Sequence, residues 1–210
     1  MKRLRPFFNE AQMKKSLRSA VGSPSTAAIS RSRARVRQWF AQTAPVIQWA
    51  QMSTPLGRLF VAKNSQGLCA LDFGHGESEF LGRLDPQARL EKNFQAVAQA
   101  LEQLQEYFSG ARFDFSLAVD LSSLTPFQRR VLDTACRIPA GQMWTYQRVA
   151  ETLARPKSSR PVGQALARNP IPIIIPCHRV IASDGSLGGY SGGSGLKAKR
   201  WLLQLEGALS

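Results

Sequence analysis

The sequence predicts an α+β protein: a small N-terminal domain of β-sheet plus helix, then a mostly helical C-terminal domain with a helix-turn-helix. Three observations carry that reading. Short β-rich runs punctuated by Pro and Gly fill residues 46–73. Apolar residues then recur at spacings of three and four from Asn93 to Phe108. From Thr125 onward the pattern is one of short helices, opened by a capping signature. The expected divisions are a basic, largely disordered arm over 1–44, an α/β domain over 45–121 and a C-terminal domain over 122–210.

In the arm, Ser23-Pro24-Ser25-Thr26 and Arg31-Ser32-Arg33-Ala34-Arg35 favour disorder, with a short helix near Arg35–Gln42. Its Arg- and Ser-rich, acid-poor character is similar to that of an organelle transit peptide. Val46–Met52 and Leu59–Val61 read as strands joined at Pro55-Leu56-Gly57, and a turn at Gln66-Gly67 introduces a third strand over Leu68–Phe73. Phe94, Val97, Ala98, Leu101, Leu104, Tyr107 and Phe108 make one face of an amphipathic helix that stops at Ser109-Gly110. Phe113–Leu121 alternates weakly and reads as a further strand. Thr125-Pro126-Phe127-Gln128 supplies an N-cap, a first-turn Pro and a capping-box Gln for a helix to about Cys136, which Ile138-Pro139-Ala140-Gly141 breaks. Short helices over Thr145–Leu153 and about Arg160–Arg168, joined by a basic turn, outline the helix-turn-helix. The second of them carries small residues, Gly163, Ala165 and Ala167, which let a backbone approach a partner closely; tight helix packing is the plainer reading of the same feature. Leu196–Leu205 forms the last helix, before Glu206-Gly207.

Composition narrows the function. The chain has 210 residues, 43% of them hydrophobic, with eleven Phe, which builds an ordinary core and excludes wholesale disorder. No apolar run reaches the roughly 18 residues of a membrane span. Three Cys and two His are too few and too scattered for a disulfide framework or a metal cluster, so a reduced, intracellular protein without metal or cofactor is expected. The net charge of +14 is segregated: ten basic residues and one acid in 1–44, six and nine in 45–125, twelve and four in 126–210. Solubility alone does not require that segregation. It points first to nucleic acid and second to an anionic membrane surface.

The chemical centre is Asn-Pro-Ile-Pro-Ile-Ile-Ile-Pro-Cys-His-Arg-Val, residues 169–180. Three prolines around an Ile triplet predict a stiff, buried, extended segment that delivers Cys177 to the end of an apolar strand, with His178 and Arg179 next to it. A thiol in apolar surroundings is inert unless a base or a cation favours the thiolate, and here both follow at once. Cys69 and Cys136 lie in ordinary elements and read as structural thiols. The glycine-rich stretch from Asp184 to Gly195 matches no nucleotide-phosphate motif and fits a loop folded over a flat ligand. Glu206, the only acid after Asp184, either orients His178 as the third member of a triad or is solvated surface. Three functions remain open on these residues: a cysteine nucleophile acting on DNA, a DNA-binding module without chemistry, and a Cys-His hydrolase.

At these positions the sequence resembles the O6-alkylguanine-DNA alkyltransferases, or methylated-DNA–protein-cysteine methyltransferases, over about residues 45–207. The resemblance rests on Ile-Pro-Cys-His-Arg-Val, Asn169 eight positions before the cysteine, and Tyr190-Ser191-Gly192-Gly193 after it. Thr54-Pro55-Leu56-Gly57 and Thr125-Pro126-Phe127-Gln128 add to it. It implies a ribonuclease H-like N-terminal domain. It also implies irreversible, single-turnover repair of O6-alkylguanine and O4-alkylthymine in double-stranded DNA, by a monomer without cofactor or membrane partner, after the damaged nucleotide is flipped out. In a bacterium the expected place is the cytoplasm, at the nucleoid; in a eukaryote, the nucleus. Cys177 would accept the alkyl group, His178 would take the thiol proton through a water, and Glu206 would orient the imidazole. Tyr146 would protonate or polarise the base, because a guanine anion leaves poorly. Arg160 would enter the duplex in place of the flipped nucleotide. Gly163, Ala165 and Arg168 would meet DNA, the small residues at the minor groove. Asn169 would lock the turn before the active-site segment, carbonyls near Cys177 and Val180 would read the base edge, and Tyr190 and Ser191 would contact the base. Two features depart from the family: the Gly193-Ser194-Gly195 region is about two residues longer, and the basic arm is additional.

Overall fold

The computed structural model describes residues 25–210; the first 24 residues of the expected arm lie outside the described residues. The chain divides at Ala44 into two units. In the first, helix α1 (Thr26–Thr43) is longer than the short helix expected near Arg35–Gln42, and Arg31, Arg33 and Arg35 are exposed on it.

The second unit, Pro45–Ser210, opens with a four-stranded sheet in the order β3-β2-β1-β4. Strands β1 (Val46–Thr54) and β2 (Gly57–Lys63) pair antiparallel, with Trp49 opposite Ala62. Thr54 closes their turn: its hydroxyl donates to the Gly57 carbonyl at 2.8 Å and accepts from Leu56 N–H at 3.2 Å. Strand β3 (Leu68–Phe73) follows β2 antiparallel. Two elements had no legible signal: helix α2 (Glu77–Gly82) and strand β4 (Arg89–Lys92), which pairs parallel with β1. Helix α3 (Phe94–Phe108) starts where the Asn93 side chain caps the Ala96 N–H.

The middle strand reads Leu59-Phe60-Val61-Ala62, all buried, because both of its faces are covered. Leu59 and Val61 join Val97, Leu101 and Leu104 of α3, whereas Phe60 and Ala62 pack with Trp49 and with Phe80 of α2. Phe60 and Phe80 stack at 5.2 Å. Phe113–Leu121 is not the strand its alternation suggested. It makes one isolated bridge, Leu68 to Val119, and otherwise runs as loop. The alternation has another cause: Phe113 and Phe115 pack on the Tyr107 ring, and Gln103 pairs with the Ser116 backbone in place of a ladder.

The helical part comprises α4 (Pro126–Ala135), the two-residue strand β5 (Trp144–Thr145), α5 (Tyr146–Thr152), α6 (Ser159–Leu166), a 3-10 turn (Cys177–Arg179), β6 (Val180–Ile181) and α7 (Leu196–Leu205). Val131, Leu132, Val149, Val162 and Leu166 make a second core that includes Ile175 and Cys177. Ala198 and Leu202 of α7, with Ile171 and Ile173, instead enter the core under the sheet. The sheet domain and the helical domain therefore share a core. Among the described residues no helix is long and apolar enough to cross a membrane.

The capping box at Thr125 is complete: the hydroxyl accepts from Gln128 N–H, and Gln128 Oε1 accepts from Thr125 N–H at 2.9 Å. Thr125→Ala removes half of it. A loss of about 1 kcal/mol is expected, seen as a Tm lower by about 3 °C in a thermal melt.

Candidate active site and nucleic-acid interface

Residues 169–176 are not an extended strand. Prolines at 170, 172 and 176 donate nothing to a ladder, and the backbone instead doubles back. Ile175 N–H donates to the Ile171 carbonyl at 3.0 Å, and Ile173 sits in the left-handed region with φ of 75°. Asn169 holds this reversal with a single side chain. Its Oδ1 accepts from Ile171 N–H at 3.0 Å, and its Nδ2 donates to the Ile175 carbonyl at 2.8 Å and to Cys177 Sγ at 3.2 Å. Asn169 thus fixes the turn and also touches the sulfur. Cys177 begins the 3-10 turn, 6% exposed, at the wall of a cavity of about 660 Å³. Burial pushes its thiol up; the Asn169 amide, the Lys199 ammonium and local backbone N–H groups pull the other way.

Behind the cysteine lies a buried charge cluster. His178 Nε2 meets Glu206 Oε1 at 2.9 Å, and Glu206 accepts from Arg179 Nε at 2.8 Å and Nη2 at 2.9 Å. Arg179 also donates from Nη1 to the Ile138 carbonyl. The Tyr107 hydroxyl, from α3, donates to Glu206 Oε1 at 2.7 Å. Burial works against the Glu206 charge, but the donors from His178 and Arg179 outweigh it and hold its pKa to about 2. Burial holds His178 below its ordinary value, so the ring is neutral at neutral pH. With Nε2–H committed to the carboxylate, Nδ1 carries the lone pair, and Nδ1 is buried without a protein partner. Glu206 is therefore no solvated surface acid: its side chain is 0% exposed.

Tyr146 reaches the same cavity because β5 pairs parallel with β6, directly after the Cys177 turn, and Thr145 caps α5 one residue before the tyrosine. Burial raises the Tyr146 phenol, while the Gly189 backbone, hydrogen-bonded to it, lowers it. The glycine-rich loop lies against this ring. A Cβ at Gly188 would come 2.9 Å from the Tyr146 hydroxyl, and one at Gly193 would come 2.5 Å from the Phe73 ring. Lys199, fully buried on α7, fastens the loop by donating to the carbonyls of Leu187, Gly189 and Val180. Burial lowers its pKa to about 8, against the pull of Cys177.

The structure brings Tyr146, Arg160, Gly163, Cys177, Tyr190 and Ser191 to one cavity, with His178 and Glu206 behind the sulfur. Arg160 is exposed at its rim, and Arg168 is exposed at the end of α6. One expectation is corrected. Ala165 is 3% exposed and faces the second core, so the outward small position of α6 is Gly163, with Gln164 beside it. The Val180 carbonyl accepts from Lys199 and that of Cys177 from Val180 N–H, and each keeps a second lone pair. Lys199, Tyr107 and Gln164 escaped sequence reasoning. A lysine on the inner face of an otherwise amphipathic helix was the one available signal.

Two family models match the chain. That described as "6-O-methylguanine DNA methyltransferase, ribonuclease-like domain" covers residues 47–121, and "6-O-methylguanine DNA methyltransferase, DNA binding domain" covers 126–208. A methylated-DNA–protein-cysteine methyltransferase of Methanosarcina barkeri is 42% identical over 155 residues, 74% of this chain and 94% of the relative. The constitutive methylated-DNA–protein-cysteine methyltransferase of Bacillus subtilis is 40% identical over 153 residues, 73% and 91% of the two chains. A crystal structure of Mycobacterium tuberculosis OGT in complex with DNA superposes with a TM-score of 0.66 at 34% identity, covering 77% of this chain and 93% of that one.

The charge cluster makes stability depend on pH. Glu206, lowered from its ordinary 4.5 to about 2, contributes stability that is whole above about 4.5 and lost as pH falls towards 2. His178, lowered from 6.5, contributes stability that is whole above about 6.5 and lost on acidification below it. Glu206→Gln leaves Arg179 buried without its anion. A loss of about 3 kcal/mol at pH 7 is expected, with a shallower decline below pH 4.5 than in the parent, both read by urea denaturation.

Proposed function

The chain belongs to the 6-O-methylguanine DNA methyltransferase family, and we propose that Cys177 is the residue that takes the alkyl group. As a methylated-DNA–protein-cysteine methyltransferase, the protein repairs DNA by direct transfer of an alkyl group to a cysteine. The observation that carries the assignment is a cysteine facing a roofed cavity, with the next residue a neutral imidazole whose only uncommitted nitrogen is an acceptor.

The thiol proton passes to His178 Nδ1, with a water as the bridge, and Glu206 carries the compensating charge of the imidazolium. The thiolate sulfur attacks the alkyl carbon on O6 from the side opposite the oxygen. A C–S bond forms, the C–O bond breaks, and its electron pair moves into the purine. Tyr146, a neutral phenol at neutral pH, gives its proton to the ring and later recovers one from solvent. The imidazolium releases the thiol proton to solvent, so the net result is a thioether on Cys177 and guanine bearing the proton given by Tyr146. A thioether offers no leaving group, so each molecule acts once. The same displacement suits O4-alkylthymine.

Double-stranded DNA carrying the lesion is the proposed partner of a monomeric protein. Helices α5 and α6 act as the helix-turn-helix, with Gly163 close to the minor groove and Arg168 on phosphate. Arg160, at the cavity rim, fills the gap left by the flipped nucleotide, and Tyr190 and Ser191 line the pocket that receives it. The proposed division at residue 122 separates the alkyl-accepting part from the sheet domain. The basic segment 1–44 adds non-specific phosphate contacts, through α1 arginines among others.

Incubation with duplex DNA bearing O6-methylguanine, followed by intact-protein mass measurement, should show one methyl group gained per molecule. No gain, or a gain that persists in Cys177→Ala, would refute the assignment. Arg160→Ala should slow repair of duplex DNA by at least about tenfold while leaving reaction with a free O6-alkylguanine base near that of the parent. Equal losses on the two substrates would remove Arg160 from the flipping step.

A further inference from the structure

Glu206 Oε1 accepts three hydrogen bonds, from His178, from Arg179 and from Tyr107, whereas Oε2 takes Arg179 Nε. Tyr107 is the one donor that comes from the sheet domain, 99 residues earlier in the chain. Its ring is fully buried and boxed by Phe108, Phe113 and Phe115 at 5.5, 5.9 and 5.6 Å, so its hydroxyl has a fixed aim. Burial and the neighbouring carboxylate push its pKa far up, so it is a donor at every working pH.

Arg179 already keeps Glu206 ionised, through two nitrogens. The phenol withdraws charge from the same oxygen that faces His178 Nε2–H. A carboxylate oxygen shared with a third donor stabilises an imidazolium less. We propose that Tyr107 is a positioning residue that holds down the proton affinity of His178, keeping it a neutral acceptor for the Cys177 proton, so that the sheet domain takes part in the transfer reaction. The inference rests on the role of His178 set out above.

The other groups facing this cluster stay in place when Tyr107 is changed. Arg179 and Lys199 are cations that disfavour the imidazolium, and the Cys177 thiol and the Tyr190 hydroxyl are both raised by burial and neutral. Cys136 adds a further thiol near Cys177, also raised, to about 11. Loss of one phenol oxygen therefore isolates the contribution of one hydrogen bond.

The chain has only two histidines, so ring nitrogen NMR can follow His178 with His75 as an internal standard. In full-length Tyr107→Phe, His178 should be more protonated than in the parent at each acidic pH at which both are folded. The change expected is about three- to tenfold in proton affinity, the size of one net hydrogen bond, with His75 unmoved. The acid limb of the single-turnover methyl-transfer rate should move to higher pH by the same factor. Placing 3-fluorotyrosine at 107, a stronger donor of the same shape, should move both readouts the opposite way, and serves if the Phe variant does not fold. Unchanged His178 titration, or a rate loss equal at all pH values, would overturn the inference. If no methyl group reaches Cys177 in the parent protein, the functional assignment fails, while the NMR titration still decides whether Tyr107 governs His178.

Discussion

Glu206 carries its negative charge where water does not reach, and much of the surrounding chain answers that cost. An isolated buried carboxylate would protonate. This one is surrounded by an imidazole, a guanidinium that reaches both its oxygens and a phenol, so it stays ionised. The donors come from two places: the 3-10 turn that begins at Cys177, which supplies His178 and Arg179, and a helix of the sheet domain, which supplies Tyr107. Glu206 is itself the C-cap residue of the last helix, its backbone N–H donating to the Leu202 and Gln204 carbonyls. Holding one charge thus ties the 3-10 turn, the last helix and the sheet domain together.

The same economy governs the other side of the sulfur. Asn169 spends one side chain on the backbone reversal that raises Cys177 to the cavity and, with the same amide nitrogen, on the sulfur itself. Lys199 fastens the glycine-rich loop by its carbonyls and stands as a buried cation near the thiol. Each group that shapes the cavity therefore also biases its chemistry. The resting thiol is protonated and protected by burial, and the means of ionising it sit adjacent. A stoichiometric acceptor needs this combination, because a permanently exposed thiolate would be consumed by other electrophiles before a lesion arrived.

Local patterns were legible where local physics decides. The Pro-Cys-His-Arg run, the capping box at Thr125, the turn at Pro55-Leu56-Gly57 and the periodicity of α3 all describe interactions within a few residues, and each element stands within a residue or two of its expected place. Phe113–Leu121 misled for the complementary reason. Alternating apolar residues report that one side is buried, not that a ladder is made, and here the aromatics are buried against α3. The apolar run before Cys177 was read as extended because prolines suit extended chain; the same prolines, by donating nothing, leave it free to reverse on Asn169. Strand β4 has no signal of its own, since its four residues, Arg-Leu-Glu-Lys, are recruited by the free edge of β1.

By itself the sequence determined the cysteine proposed as nucleophile, the histidine beside it proposed as base, the segregated positive charge and the order of sheet and helices, because these depend on residue identity and short spacing. Only the tertiary structure decided that Glu206 is the partner of His178 and not a solvated acid, that Ala165 turns inward and Gly163 outward, and that Lys199 and Tyr107 belong to the site. Those outcomes depend on contacts between residues 12 to 99 positions apart, and the free energy of burying a charge is set by everything that surrounds it in space, which no neighbour in the chain records.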